Sequence, residues 1–588
     1  MFHFLRRRCS LALRCVCVIS SATLATAPAA AETSGAIDLR VRDSATGYAI
    51  SAIVEIDGPG RTNRSWQLDE SGRIQIELAE GGHPIFISAR GYQGIESRLQ
   101  VDPAAVWPVT VWVDPEQIPA QLRPESLGVN RVPGSALIHG YAVDAQSGEP
   151  LAGVEVSLNG NRAQTVASGY FSFNVAAPST GPESPPESGD LLAERAGYQS
   201  YLLANTPIAE GDSQLLIEMN PGEGTQLVDD THKLMRGPEE LEQSQSAPEL
   251  TPDGEPRPNA LDDATMVSVP PASIRVGYSC SCTTCSTVEV MSLETYVKRG
   301  LPREWIASWR AHSLRAGAIA YRSYGSWYVY HPLRANYDIC NTTCCQVNST
   351  STSASTNSAV EYTAGILLQR SGSVFRAEYS AENNNLCGTG CSNSSCTCGD
   401  GNAGSPGASW PCVSEPYDAG HACAGHGRGM CQWGTQRGAL LGQLWNWIED
   451  HYYNNNGSPG GLRSAYMTSP LDIASVGPDP AQVSAGAVFT VYMSVLNYAE
   501  LPHDQVMLGA SLYSDATGYI SDSSNDQKVT AYPGSTDVSR AFTVPDYAPS
   551  GTYDLLVALW LDVDEDSAIT GADLLLVSYL LPGAITVM

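Results

Sequence analysis

The sequence predicts a multi-domain chain in which one α+β module is flanked by all-β sandwich domains. Three observations predict it. At 588 residues the chain is too long for one hydrophobic core. Apolar residues alternate with period two on both sides of a central stretch, and inside that stretch the pattern switches to helical spacing and gathers the cysteines.

The first 31 residues read as a secretory signal peptide. Arg6, Arg7 and Arg8 precede an apolar run from Ser10 to Ala25, and Ala27-Pro-Ala-Ala-Ala31 offers the small residues of a cleavage site. The run is interrupted by Arg14 and falls short of the roughly 20 apolar residues that span a bilayer, so no membrane anchor is expected after cleavage. The protein is therefore expected to be exported, whether periplasmic, on the cell surface or secreted. The bases before Ala31 are Arg6, Arg7, Arg8 and Arg14, so the mature chain keeps 29 of 33 bases against 62 acids, a net charge of about −33. A field of that sign repels nucleic acid and anionic membrane, which excludes nucleic-acid partners.

From Gly35 to about Pro115, in a domain placed at 35–117, short β-type runs alternate with turns: Ile37 to Val41, Ile53 to Ile56, Arg73 to Leu78, Pro84 to Ser88 and Val109 to Val113. A second copy follows at 134–221. Asp43-Ser-Ala-Thr-Gly47 matches Asp144-Ala-Gln-Ser-Gly148, and Ala89-Arg-Gly-Tyr92 matches Arg195-Ala-Gly-Tyr198, so the two form an internal repeat. This order of strand, Asp turn, Leu151-Ala-Gly-Val-Glu-Val156, Ser-Gly-x-Phe and Ala-Gly-Tyr resembles the carboxypeptidase regulatory-like domain of the carbohydrate-binding-like fold. The resemblance implies a seven-strand, transthyretin-like sandwich that binds a partner or a sugar or serves as a spacer. Residues 222–270, rich in Glu, Asp, Pro, Ser and Gln, read as an acidic disordered linker. Residues 465–588 return to β alternation and read as an immunoglobulin-like sandwich. There Asp562, Asp564, Asp566 and Asp573 have the spacing of a calcium loop, but Ser567 stands where such a loop needs Gly, so the reading is a charged hairpin.

The chemistry is expected in the module at 271–458. Cys9, Cys15 and Cys17 precede Ala31, and the remaining thirteen of the sixteen cysteines all lie between Cys280 and Cys431. In an oxidising compartment that density reads first as disulfides. Pro302 and Glu304 read as the first turn of a helix, where the dipole favours a carboxylate, so on physics alone Glu304 is an ordinary first-turn acid.

Four motifs in order change that reading: Leu293-Glu-Thr-Tyr-Val297 with Pro302-Arg-Glu304, Trp309 and Arg322-Ser-Tyr324; Tyr337-Asp-Ile-Cys340 through Cys344-Cys345-Gln-Val347; Asn357 through Gly365; and His426-Gly-Arg-Gly-Met-Cys-Gln432-Trp-Gly434. They resemble the stage II sporulation protein D and LytB amidase-enhancer (SpoIID) family. The resemblance implies a peptidoglycan lytic transglycosylase that cleaves MurNAc–GlcNAc bonds of peptide-stripped glycan, with Glu304 and Arg322 catalytic and Arg315, Tyr379, His426 and Gln432 contacting substrate. One carboxyl group suffices, because the sugar's own 6-hydroxyl displaces the leaving group. On one straight helix Glu304 and Arg322 would stand roughly 27 Å apart, so their cooperation requires a bend near Ala307 to Arg310. No cofactor is required. Cys340, Cys344 and Cys345 fall where some family members hold zinc, and His331 completes a possible structural set; disulfides are the alternative. The family's loop after Tyr379 is altered here into Ser-Ala-Glu382-Asn-Asn-Asn and a cysteine cluster. The resemblance therefore also admits a non-catalytic glycan-binding activator of a cell-wall amidase, or a surface adhesin with a degenerate enzyme domain.

Overall fold

The computed structural model describes residues 34–56, 64–103, 105–117, 130–179, 181, 184–228, 234, 267–382, 429–454 and 465–588. The signal peptide at 1–31, most of the linker at 222–270 and His426 lie outside the described residues.

The first sandwich is built from β1 (Ser34–Asp43), β2 (Ile53–Ile56), β3 (Ser65–Gln67), β4 (Arg73–Ala79), β5 (Gly81–Ser88), β6 (Ile95–Val101) and β7 (Val106–Val113). Its strands pair as β4-β1-β7 and β3-β2-β5-β6. The second repeats this plan with β8 (Ser135–Asp144), β9 (Glu155–Leu158), β10 (Asn161–Gln164), β11 (Tyr170–Ala176), β12 (Glu187–Glu194), β13 (Ser200–Ile208) and β14 (Gly211–Met219). They pair as β11-β8-β14 and β10-β9-β12-β13. The repeated sequence signals are two ends of one hydrogen bond. Asp43 Oδ1 accepts the N–H groups of Ala45 (2.7 Å) and Thr46 (3.0 Å), and Tyr92 donates its hydroxyl to Oδ2 at 2.8 Å. In the second copy Asp144 accepts from Gln146 (2.8 Å), Ser147 (2.7 Å) and the Tyr198 hydroxyl (2.9 Å). An aspartate at a turn satisfies the backbone it reverses, and Gly47 (φ 78°) and Gly148 (φ 72°) supply the left-handed residue that closes the turn.

The stretch 222–270 differs from the expected linker at its start. Thr225–Val228 forms β15, which runs parallel to β13 and adds a fifth strand to that sheet. Four residues are too few to show a period, so β15 was not legible. Val267 at the other end bridges to Ser469.

The central module opens with the hairpin β16 (Ser273–Ser281) and β17 (Thr284–Ser292) and continues through α1 (Leu293–Glu304), α2 (Ala311–Tyr330), β18 (Ile339–Cys340), β19 (Ser351–Ser353) and α3 (Ala354–Tyr362). Then come β20 (Leu367–Arg370), β21 (Ser373–Val374), β22 (Tyr379–Ser380), β23 (Met430–Cys431), α4 (Gln432–Leu440), α5 (Trp445–Tyr453) and β24 (Tyr466–Thr468). The module is not a bead on a string. β17 runs parallel to β7, so the first sandwich and the module share one six-stranded sheet, β18-β16-β17-β7-β1-β4. The second sandwich touches the module by another pairing, β14 antiparallel to β19.

The C-terminal region forms two sheets from β25 (Leu471–Asp479), β26 (Gln482–Val483), β27 (Val488–Asn497), β28 (His503–Ser514), β29 (Gly518–Ser521), β30 (Gln527–Ala531), β31 (Gly534–Thr543), β32 (Gly551–Leu561) and β33 (Leu574–Val587). One sheet is β25-β27-β31 and the other β26-β33-β32-β28-β29, with β30 against β28. Strand alternation is plain in β27, where Phe489, Val491, Met493 and Val495 are buried and their neighbours less so. The expected fold class, an α+β module among all-β sandwiches, is the one found. Among the described residues no helix is long and apolar enough to cross a membrane.

Candidate functional site around Glu304

Glu304 is the last residue of α1, not part of a first turn. The helix begins eleven residues earlier, where Ser292 Oγ accepts the Thr295 N–H at 3.1 Å as an N-cap, and it runs through Pro302. The expectation failed because Pro302 was read as a start signal, whereas the stripe Leu293, Tyr296, Val297, Gly300, Leu301 already marks a helix face that Glu304 continues. The dipole argument for a first-turn acid therefore does not apply. Glu304 is wholly buried.

Its carboxylate and its backbone are each held by a neighbouring segment. Val347 N–H donates to Oε1 at 3.2 Å, and the Gln432 side-chain amide donates to the Glu304 carbonyl at 2.7 Å. Gln346 donates to the Tyr379 hydroxyl (2.9 Å) and accepts from the Tyr296 hydroxyl (2.7 Å), while Tyr321 donates to the Val347 carbonyl at 2.9 Å. Burial pushes the Tyr379 phenol well above its ordinary range, and the negative charge of Glu304 adds to this. Tyr379 and Gln432 come together because β22 lies parallel to β23, one residue before α4 begins. Trp305 lies edge-on to Tyr379 and donates its indole N–H to Thr435 Oγ1 at 3.2 Å. The glycine in the middle of α2 is explained here: a Cβ on Gly317 would lie 2.5 Å from the Trp305 ring. The cost of a helical glycine, about 1 kcal/mol, is accepted for this approach.

Disulfides fix the strand of chain that supplies the Val347 N–H. Cys280 pairs with Cys285, Cys282 with Cys344 and Cys340 with Cys345, tying the β16–β17 hairpin to the segment leading to Val347. The possible zinc set is accordingly not assembled. The sulfurs of Cys340, Cys344 and Cys345 are all in disulfides, and the exposed His331 stacks on Trp327 with Nδ1 3.0 Å from the Trp327 carbonyl. Adjacent Cys344 and Cys345 find separate partners. Cys431 is buried and N-caps α4, its sulfur accepting the Gly434 N–H at 3.1 Å.

The two arginines expected at the site lie elsewhere. The required turn is present, since α1 ends at Glu304 and α2 starts at Ala311, but it places Arg322 against Glu294. Arg322 stands eleven residues into α2 and Glu294 ten residues before the end of α1, so the antiparallel pair of helices sets them side by side. Arg322 donates to Glu294 through Nε (2.9 Å) and Nη2 (2.8 Å), and Gly365 N–H donates to the same carboxylate at 2.9 Å. Both side chains are buried, and the pair binds α1, α2 and the turn after α3. Arg322, expected as a catalytic residue, is thus engaged in tying the helices together through Glu294. Glu294, its partner, was overlooked although it is the acid of the Leu-Glu-x-Tyr-Val motif. Arg315, expected on substrate, is 6 % exposed and faces the C-terminal sandwich: Nη2 lies 2.5 Å from Glu565, and the guanidinium sits 3.6 Å over the Tyr362 ring. A further buried carboxyl, Glu449 on α5, is pushed well above the carboxylate range by burial and then by the Asp450 charge, against an opposing pull from Arg322. No motif flags it.

A buried acid beside a buried tyrosine, fed by one backbone N–H and set in a helix–sheet module, defines a class of domain more than a reaction. Residues 281–369 match the family model described as stage II sporulation protein, SpoIID. The chain therefore carries a SpoIID domain, of a family associated with remodelling of the cell wall in sporulation. A search of curated proteins finds no match. Among solved structures the chain is similar to the Bacillus anthracis TIE protein (11% identity, 32% of this chain and 34% of that chain, TM-score 0.13). It is also similar to the C-terminal domain of wzt (13%, 20% and 73%, 0.16) and to the sporulation control protein Spo0M of Bacillus subtilis (15%, 20% and 51%, 0.14). The chain thus spans about a third of the first of these and half of the last.

Proposed function

We propose that the protein is an exported peptidoglycan-remodelling enzyme, a lytic transglycosylase that cleaves MurNAc–GlcNAc bonds in peptide-stripped glycan with Glu304 as its single acid–base. The observation that carries this reading is the carboxyl of Glu304, held by Val347 N–H and flanked by Tyr379, in a chain whose residues 281–369 match the SpoIID family. In the step, protonated Glu304 gives its proton to the glycosidic oxygen and the bond from that oxygen to C1 breaks. The MurNAc 6-hydroxyl then attacks C1 and returns its proton to the carboxylate, leaving a 1,6-anhydro end without water. Gln432 and Val347 fix the direction of the acid, and Tyr379 supplies a phenol that stays protonated at neutral pH.

The complete burial of Glu304 favours a second reading, in which the domain binds glycan and activates a cell-wall amidase without chemistry of its own. The two readings separate in one assay. Disulfide-bonded protein incubated with peptide-stripped glycan should release 1,6-anhydro fragments detectable by mass spectrometry, and Glu304→Gln should lower the yield by about 100-fold or more. Equal yields from both proteins, or none from either, would sink the enzymatic reading; glycan binding retained without product would establish the activator.

A further inference from the structure

We infer that the loop between β32 and β33 is a calcium site at the junction of the C-terminal sandwich with the SpoIID domain. The inference is independent of the glycan chemistry above. One carboxylate oxygen from each of Asp562, Asp564 and Asp566 lies within 4.8 Å of the others. Asp564 and Asp566 are exposed, and on a surface alone such a cluster means little. Asp562 is different: it is wholly buried, its Oδ2 accepts the Ser567 N–H at 3.1 Å, and its Oδ1 has no hydrogen-bond partner. A buried carboxylate oxygen left without a donor is costly unless a cation takes it.

The neighbouring bases do not fill that role. The arginine beside the loop, Arg315, pairs through Nη2 with Glu565 and makes no hydrogen bond to Asp562 Oδ1. Asp573, twelfth in the run from Asp562, braces the neck of the loop by accepting the N–H groups of Val563 (2.8 Å) and Thr570 (2.8 Å). The objection raised by Ser567 at the sixth position falls, because Ser567 takes the left-handed conformation (φ 62°) for which such loops use glycine. The donors are all hard oxygens, in a shallow set open to water on the side of Asp564 and Asp566. That suits calcium, which tolerates irregular shells of carboxylate and water, better than magnesium, which demands a near-ideal octahedron.

The loop is also where the two modules meet. Tyr362 of α3 donates its hydroxyl to the Asp562 carbonyl, Arg315 of α2 pairs with Glu565, and Asn446 donates to the Ala572 carbonyl at 2.8 Å. A cation that fixes Asp562, Asp564 and Asp566 therefore fixes the surface on which the SpoIID helices rest.

The test is calorimetric titration of the full chain, stripped with chelator, with calcium chloride at about 0.15 M salt to screen the acidic surface. Wild type should bind one calcium per chain in a saturable isotherm, and calcium should raise its thermal midpoint. The Asp564→Asn, Asp566→Asn double variant, altered only at exposed positions, should match wild type in chelator but bind calcium roughly tenfold or more weakly and lose the midpoint shift. Non-saturable uptake, or the same isotherm in both proteins, overturns the site; equal affinity for magnesium overturns the assignment to calcium.

Discussion

The two N-terminal sandwiches have one plan and two fates. In the first, the last strand β7 offers its outer edge to β17 in parallel, and the apolar core runs on from Leu39 and Val111 through Tyr296 and Trp305 without a break. In the second, the equivalent strand β14 meets the short β19 in antiparallel fashion, while Ile138, Val156, Phe171 and Ile217 close a core of their own. The copies also dock on one another: Arg42 of the first donates to the carbonyls of Ser147 (2.9 Å) and Gln146 (3.1 Å) in the Asp turn of the second. The position matching Arg42 in the second copy is Val143, so that contact has no reciprocal. Duplicated strands thus keep their internal pairing while their outer edges diverge, and the edges decide what unfolds with what.

The largest effect should come from breaking each core at matched strands. Val111→Asp on β7 buries a charge in the shared core, and we expect it to cost more than about 4 kcal/mol and to abolish the joint melting transition of the first sandwich and the SpoIID domain. Ile217→Asp on β14 should remove only the transition of the second sandwich. Scanning calorimetry with limited proteolysis reads both; loss of every transition in Ile217→Asp would show that the cores are not separate. Next in size, Arg42→Ala should cost about 1.5–3 kcal/mol by removing two charged hydrogen bonds to part-buried backbone carbonyls, and should open a protease-sensitive gap between the copies.

The smallest effect separates the two turn aspartates by pH. At Asp43 burial raises the pKa and outweighs the bonds from Tyr92, Ala45 and Thr46. At Asp144 burial pushes the same way but is outweighed by bonds from Ser147, Tyr198 and Gln146, so the net shift is downward. The signs follow by linkage. The Asp43 contribution is complete below its unfolded pKa and is lost as pH rises through its raised folded value. The Asp144 contribution is present above its unfolded pKa and is lost as pH falls through its lowered one. Asp144→Asn should therefore flatten the acid limb of the stability curve, and Asp43→Asn should leave that limb and relieve a penalty at neutral pH. Parallel curves for the two variants would contradict the assignment.

How much of this was legible follows from which forces are local. Turn chemistry is local, so the Asp43–Tyr92 and Asp144–Tyr198 pairs could be read as a repeat before their hydrogen bonds were known. The SpoIID motifs were legible as an ordered set, whereas the bend near Ala307 to Arg310 was expected only so that Glu304 and Arg322 could cooperate, and Arg322 pairs with Glu294 instead. The partner of Arg322 was not, because it depends on the antiparallel packing of α1 and α2, which no spacing within either helix encodes. Arg315 was misplaced for the same reason, since Glu565 lies 250 residues away. The cysteines announced disulfides, but Cys282–Cys344 joins chain segments that only the β16–β18 pairing brings together. Ser567 misled in the opposite direction: residue type argued against a left-handed backbone that the hairpin imposes.

The shared sheet has a practical consequence for anyone who isolates the SpoIID domain. The segment bounded by the family motifs ends its sheet at β17, and in the whole chain that edge is covered by β7 through Val109, Thr110 and Val111. Excised at residue 271, the domain would present β17 as a bare edge with Val288 and Val290 stripped of their cover, which is the template for strand-to-strand aggregation. A fragment that begins at β1 keeps its own edge protector, so solubility should track the presence of residues far outside the motif boundaries.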